Sequence, residues 1–244
     1  MKALQFFLAL AVAACIIGCV PLFGHAAASA QPSQAGTIQL PEPAHDSDMS
    51  VEQALSRRSS VREYKDEPLG LAEVSQLLWA AQGMTGTGSH RTTPSAGGLY
   101  PLEVYVAVGN VNGLHPNIYK YHPGDHTLIK TADGDRRADL SRAAAGQQSV
   151  KDGAIVILIS GVYERTTGKY KEPLHDMRTG SDYLSGIKYV HMEAGHASQN
   201  VYLQAASLRL GTVAIGALSE DDVRRIAGMP DDERPLCIMP VGRV

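Results

Sequence analysis

The chain has 244 residues, 44% hydrophobic and 19% charged, which is enough apolar material for one or two globular domains and too little charge for a disordered chain. Its formal net charge is −3, so there is no basic surplus of the kind a nucleic-acid binder shows. Three cysteines are too few for a disulfide scaffold.

Residues 1–30 read as a targeting segment rather than fold. Lys2 is the charge in that stretch, and an apolar run from Ala3 to Val20 follows, broken by Gln5 and Gly18. Ala28-Ser29-Ala30 has the small-x-small spelling that a signal peptidase accepts. Cys15 and Cys19 each close a lipobox-like tetrapeptide, so a lipid-anchored protein, a plainly secreted one and an uncleaved anchor all stay open. All three put the domain outside the cytoplasm, periplasmic or secreted, with a membrane tether if Cys15 or Cys19 is acylated. Residues 31–49 hold Pro32, Pro41 and Pro43 among polar residues and read as a flexible linker. After cleavage at Ala30, Cys237 alone would remain, in an apolar run that suits inert core.

The domain is expected over 50–244. Ser50-Val51-Glu52-Gln53 spells a capping box for a helix to about Arg57. Apolar positions 71, 74, 77, 78 and 81 predict a helix stopped by Gly83. Residues 83–98 are rich in Gly, Thr and Ser and predict a long loop. A strand follows over Leu102–Val108. Ile118–His122 and Thr127–Lys130 flank Pro123-Gly124-Asp125 as a hairpin, and Arg136–Ala145 suits a helix. Ala154–Ile159 is a continuous apolar run and predicts a central strand. The polar stretch Arg165–Ser185 is expected as a loop or lid over substrate. Tyr189–Leu210, Ala-rich and closed by Gly211, predicts the longest helix. Thr212–Ile215 reads as a strand, Ser219 as the cap of a helix to Ala227, and Leu236–Val241 as the last strand. The order lacks a regular βαβ rhythm, so the expected class is α+β with one mixed sheet flanked by helices.

Five stretches can carry chemistry. Arg58, Ser60 and Arg62 alternate, so in an extended chain they point the same way, a row of guanidinium donors around a hydroxyl that suits a phosphate monoester. Pro94-Ser95-Ala96-Gly97-Gly98 lets backbone approach a flat ligand closely. Ala194 to Leu203, with Gln199, permits tight helix packing. Ile215-Gly216-Ala217 offers amides after a strand, and Arg243 near the end is another anion partner. A metal site at His191, Glu193 and His196 is not expected, because positions 191 and 196 lie about 140° apart on a helix. No nucleophile elbow, Walker loop or dinucleotide fingerprint occurs.

In this order and spacing, Arg58-Ser60-Arg62, Pro94 to Glu103, the hairpin residues Tyr119-Lys120-Tyr121, Gly195 to Asn200 and the final Arg243 resemble the nitroreductase-like flavoprotein superfamily. The resemblance is greatest to its SagB-type dehydrogenase branch, whose enzymes oxidise thiazolines and oxazolines in peptides. It covers about residues 50–244. It implies an FMN-dependent oxidoreductase built as a domain-swapped-style homodimer with flavin between subunits. Arg58, Ser60 and Arg62 would hold the phosphate and ribityl chain, with Arg243 as a further phosphate contact. Pro94, Ser95 and Ala96, with Gly98, would line the isoalloxazine from the partner, and Gln199 would face the cofactor from the long helix. Gly216 and Ala217 would stand near flavin N5 and O4. Hydride transfer through N5 needs no catalytic side chain, and none is assigned. The substrate would be a small molecule or peptide. Lys169-Tyr170-Lys171 and Asp182-Tyr183 stand roughly where the branch carries a basic residue with tyrosine before the long helix. The competing expectation is an envelope protein that keeps the fold and binds flavin or another small ligand without turnover.

Overall fold

The computed structural model describes residues 36–86 and 88–244. The expected signal segment, with Cys15 and Cys19, lies outside the described residues.

The described chain enters with β1 (Thr37–Gln39). Leu40 is then buried, and the segment beyond it is strapped to a helix. Gln76 accepts the Ala44 N–H at 2.8 Å and returns its amide to the Ala44 carbonyl at 3.0 Å, while the Ser75 hydroxyl donates to the Pro41 carbonyl. The linker expected over 31–49 is therefore corrected from Thr37 onward: a strand partner and a buried leucine hold it to the domain.

The helix α1 (Val51–Arg57) begins at the expected capping box, with Gln53 N–H on the Ser50 hydroxyl at 3.2 Å and Ser50 N–H on the Gln53 side chain at 3.3 Å. A short β2 (Leu69–Gly70) leads into α2 (Leu71–Gln82), which ends at Gly83. After the glycine-rich loop come β3 (Leu102–Val108), β4 (Val111–Asn112), β5 (Asn117–His122) and β6 (Thr127–Asp133). Two short helices, α3 (Arg137–Ala143) and α4 (Gln148–Asp152), precede β7 (Ile155–Gly161), all seven residues of which are buried. Then follow α5 (Tyr163–Thr167), the strands β8 (Pro173–Asp176) and β9 (Ser181–Leu184), and α6 (Ser185–Ser207). The chain closes with β10 (Leu210–Thr212), α7 (Glu220–Ala227) and β11 (Arg234–Arg243).

The main sheet has seven strands in the order β1-β6-β5-β3-β7-β11-β10. Each adjacent pair in it is antiparallel, which corrects the mixed sheet expected from sequence. The cause lies in the connections. The β5–β6 hairpin turns back at once, and β7 and β11 enter from helices that return the chain against its neighbour rather than by a parallel crossover. Among the described residues, parallel pairing is confined to the separate β2–β4 pair and a bridge between Ser60 and Thr212.

Alternation along the strands builds two cores. Val104, Val106, Ile157 and Ile159 face α2 and α6, where Leu77, Leu78, Ala197 and Val201 meet them. Tyr105, Ala107, Val156 and Leu158 face the other way, onto Leu140, Val150 and Val223 of α3, α4 and α7. Glu233, 2% exposed, is satisfied inside by Tyr105 and Ser160 hydroxyls at 2.9 Å and Lys120 Nζ at 2.6 Å.

Two boundaries differ from expectation. The long helix starts four residues early, at Ser185, and ends at Ser207, because Arg209 turns left-handed at φ 57. The stretch expected as a loop over 165–185 contains the end of α5 and the β8–β9 hairpin. Its strands are four residues each, Pro-Leu-His-Asp and Ser-Asp-Tyr-Leu, with none buried, too short and too mixed for an alternation to mark them.

Candidate functional site

The end of α1 delivers the first group. Arg58 closes the helix and leaves it in an extended conformation, φ −56 and ψ 127. The chain then runs beside β10: Ser60 bridges Thr212, and Val61 N–H donates to the Thr212 carbonyl at 2.9 Å. Tyr64 pins this segment to the sheet, its hydroxyl donating to the carbonyls of Val61 at 2.8 Å and Pro240 at 3.2 Å; burial pushes its pKa up.

Tyr202 on α6 gathers that group. The Arg58 guanidinium lies over its ring at 5.2 Å from the centroid. Its hydroxyl is 3.1 Å from the Ser60 hydroxyl and accepts the Ala214 N–H at 2.8 Å. Ala214 opens the segment that carries Gly216 and Ala217, both exposed, and Ile215 is fixed to Ile238 by backbone bonds in both directions. A cavity of about 220 Å³ opens here, bordered by Arg58, Ser59, Tyr202, Leu210, Thr212 and Val244. The Thr212 hydroxyl is one of two buried side-chain polar atoms without a hydrogen-bond partner among the described residues, the other being that of Thr166. Arg62 is exposed, and among the described residues neither it nor Arg58 pairs with a carboxylate. Arg243 does: its guanidinium grips Glu73 at 2.6 and 2.8 Å and reaches the Pro68 carbonyl at 3.4 Å.

The glycine-rich loop forms the second group. Gly97 and Gly98 sit at φ 64 and 65, and the Ser95 hydroxyl accepts the Tyr100 N–H at 2.8 Å. Asn200 holds the loop to α6 through the Thr92 carbonyl at 3.2 Å and the Thr93 hydroxyl at 3.1 Å. Pro94 is exposed, while Ser95 and Ala96 are half-buried. Beneath them lies Glu193, a buried carboxylate that accepts from Gln82 at 3.3 Å; Arg91 donates to Gln82 at 3.1 Å and stacks on the Tyr100 ring at 4.7 Å. Burial raises the Glu193 pKa, against the opposing pull of Ser95, Gln82 and Arg91.

Two side chains cross onto this loop from between α5 and β8. A Cβ at Gly97 would stand 2.8 Å from both Lys169 Nζ and the Tyr170 hydroxyl oxygen, a close approach that glycine permits. Tyr170 is held edge-on against Tyr189 of α6, ring centroids 4.9 Å apart, and Lys169 Nζ lies 5.6 Å from the Tyr170 ring centroid.

Thus Arg58 and Ser60 meet the 214–217 segment, whereas the Pro94–Gly98 loop does not join them. Asn200 and Tyr202, which anchor the two groups, are two residues apart on a helix and so about 200° apart around it. Gln199 is half-buried on α6, next to exposed Gly195 and His196. Tyr202, Asn200 and Glu193 were not singled out from sequence as anchors; a polar residue repeating on a helix looks the same whether it faces solvent or a loop. His191 bonds the Tyr163 hydroxyl at 2.8 Å, and among the described residues no cluster suited to a metal occurs.

A family model described as the nitroreductase family matches residues 55–243. The chain is 42% identical over 206 residues to the Methanocaldococcus jannaschii protein named "Putative nitroreductase MJ1384", covering 84% of this chain and 96% of that one. It is 24% identical over 195 residues to a Bacillus subtilis protein named FMN reductase (NAD(P)H), covering 79% of this chain and 65%, just under two thirds, of that relative. Among solved structures it is similar to a "putative nitroreductase" from Ralstonia eutropha JMP134, with TM-score 0.68 and 28% identity, covering 85% of this chain and 89% of that one.

Proposed function

The chain belongs to the nitroreductase family, and from that premise we propose that it is an FMN-dependent oxidoreductase acting on a small molecule or peptide, with each flavin held between two copies of the chain. The cofactor reading is supported by a fit of donors to its tail. Arg58 and Arg62 have no carboxylate partner among the described residues, and Thr212, whose buried hydroxyl lacks a hydrogen-bond partner among them, borders the cavity beside Arg58. Arg243 has its charge already matched by Glu73, so Arg58, Ser60 and Arg62 are the primary tail-binding set. A bidentate arginine–carboxylate pair is not given up readily.

The observation that carries the shared site is the split around α6. One chain presents tail donors and the Gly216–Ala217 amides on one side of the helix, and the Pro94–Gly98 loop on the other. A symmetric pairing of two copies would bring one chain's loop to the other's tail donors.

When bound, FMN would supply hydride transfer at its N5. The protein's part is to orient and to handle protons. Gly97 gives Lys169 Nζ and the Tyr170 hydroxyl access to the loop face, where a proton leaving a substrate would end on the neutral Lys169 amine, directly or through the Tyr170 hydroxyl, which passes its own proton to the amine as it takes up the substrate's. This pair supports the azoline-oxidising branch over a flavin reductase as the activity. Tyr189, edge-on against the Tyr170 ring, and Lys169 Nζ over that same ring hold the Tyr170 phenol in place. Export is proposed on residues 1–30 alone, and fractionation of the expressing cell tests it.

The test of the flavin reading is the absorbance of purified protein. A yellow protein whose flavin bands bleach with dithionite and return in air is expected. A colourless protein that takes up no added FMN overturns the reading, and one that holds FMN as a catalytically silent ligand favours a binding protein.

A further inference from the structure

Resting on the flavin reading above, we infer that Tyr202 is a positioning residue that turns the Ser60 hydroxyl outward as a hydrogen-bond donor to the cofactor's ribityl-phosphate tail. A phenol oxygen has one proton to give and accepts through its lone pairs. The Ala214 N–H, 2.8 Å away, already uses an acceptor position on Tyr202. The 3.1 Å contact with Ser60 then has two arrangements. If Ser60 donates to Tyr202, the phenol proton of the half-buried tyrosine is left over. If Tyr202 donates to Ser60, the left-over proton belongs to Ser60, which is exposed. An unmet donor costs least where solvent or a ligand can reach it, so the second arrangement is favoured. The Ser60 backbone cannot swing to change this, because it is bridged to Thr212 and followed by the Val61 bond to the Thr212 carbonyl. The Arg58 guanidinium, stacked on the same tyrosine ring, lies on the same side of the chain. Tyr202 therefore presents a guanidinium and a directed hydroxyl to one anionic, hydroxyl-rich tail. It also ties them to the segment of Gly216 and Ala217, so tail and ring contacts share one support.

The experiment uses the full chain and compares FMN with lumiflavin, which keeps the isoalloxazine and lacks the tail, by fluorescence titration. Tyr202→Phe keeps the ring under Arg58 and removes the hydroxyl. It is expected to lower the preference for FMN over lumiflavin about tenfold, the scale of one net hydrogen bond. Ser60→Ala is expected to do the same, and the double variant to lose no more than either single one, since both break one relay. A preference unchanged in Tyr202→Phe overturns the inference. So does equal weakening of FMN and lumiflavin, or losses that add in the double variant. Wild-type protein that binds neither flavin overturns the flavin reading itself, and this inference with it.

Discussion

The two ends of α6 are built by opposite means. Toward its C-terminus, Tyr202 is a neutral residue that joins Arg58, Ser60 and Ala214, groups that come from distant parts of the chain and are steadied by backbone bridges to β10. Toward its N-terminus, Glu193 is a buried carboxylate beneath a loop, and the side chains above that loop, Lys169 and Tyr170, arrive from between a five-residue helix and an exposed hairpin. The first end is a rigid support suited to holding a cofactor's tail. The second places titratable groups over the glycine loop, as proton handling above a cofactor requires. Tail binding and turnover should therefore be separable by mutation.

The largest effect is expected at the second end. Lys169→Ala and Tyr170→Phe should each lower turnover by roughly 10²-fold or more, the scale of a lost general acid or base, while FMN affinity stays near wild type. Mixing Lys169→Ala with Arg58→Ala subunits sharpens the comparison. If the two ends serve different flavins of a dimer, then at an FMN concentration too low to fill Arg58→Ala sites half the subunit pairs are mixed and each holds one intact site, so about a quarter of wild-type activity should return. Stopped-flow reduction and steady-state assays on the mixture read this directly; activity no higher than either parent would place both ends in one chain's site.

An intermediate effect belongs to the first end. Arg58→Ala should weaken FMN by about 1.5–3 kcal/mol, as for a hydrogen bond to a charged group. Riboflavin, which lacks the phosphate, should bind the variant and the wild type alike. Equal losses for both ligands, measured by calorimetry, would make Arg58 a structural residue.

The smallest effect tests the buried carboxylate. Because burial raises the Glu193 pKa, the folded state holds that proton more tightly than the unfolded chain. Its contribution to stability is thus greatest below the ordinary glutamate range and declines as pH rises through the folded-state pKa. Glu193→Gln, which is always neutral, should melt above wild type at neutral pH, and the gap should close as pH falls toward 4. Melting curves across that range check the sign; a gap that widens on acidification would mean the carboxylate is stabilised by Arg91 more than it is penalised by burial.

Much of this was legible in the residues. The Ser50 box, the apolar spacing from Leu71 to Ala81 and the unbroken Ala154–Ile159 run are local patterns, and each produced the expected element. Short periodicities and caps depend on neighbours a few positions away, which sequence displays. The β8–β9 hairpin was missed because its four-residue strands are unburied and too short to show an alternation. The strap over 37–45 was missed because its partners, Ser75, Gln76 and β6, lie far along the chain.

The functional motifs divide in the same way. Residue type and order alone determined the α+β class, the arginine–serine alternation at 58–62, the glycine loop at 94–98 and the membership those motifs share. Only the tertiary structure decided that the main sheet is antiparallel throughout, that Arg243 is bound to Glu73, and that Lys169 and Tyr170 reach Gly97. It also decided that Arg58 and Ser60 and the glycine loop stand on opposite sides of α6. That division has a physical origin. A sequence records which groups are present and how local backbone preferences repeat. Which distant groups share a hydrogen bond depends on how helix and sheet faces pack, and two residues along one helix are enough to send two halves of a site about 200° apart.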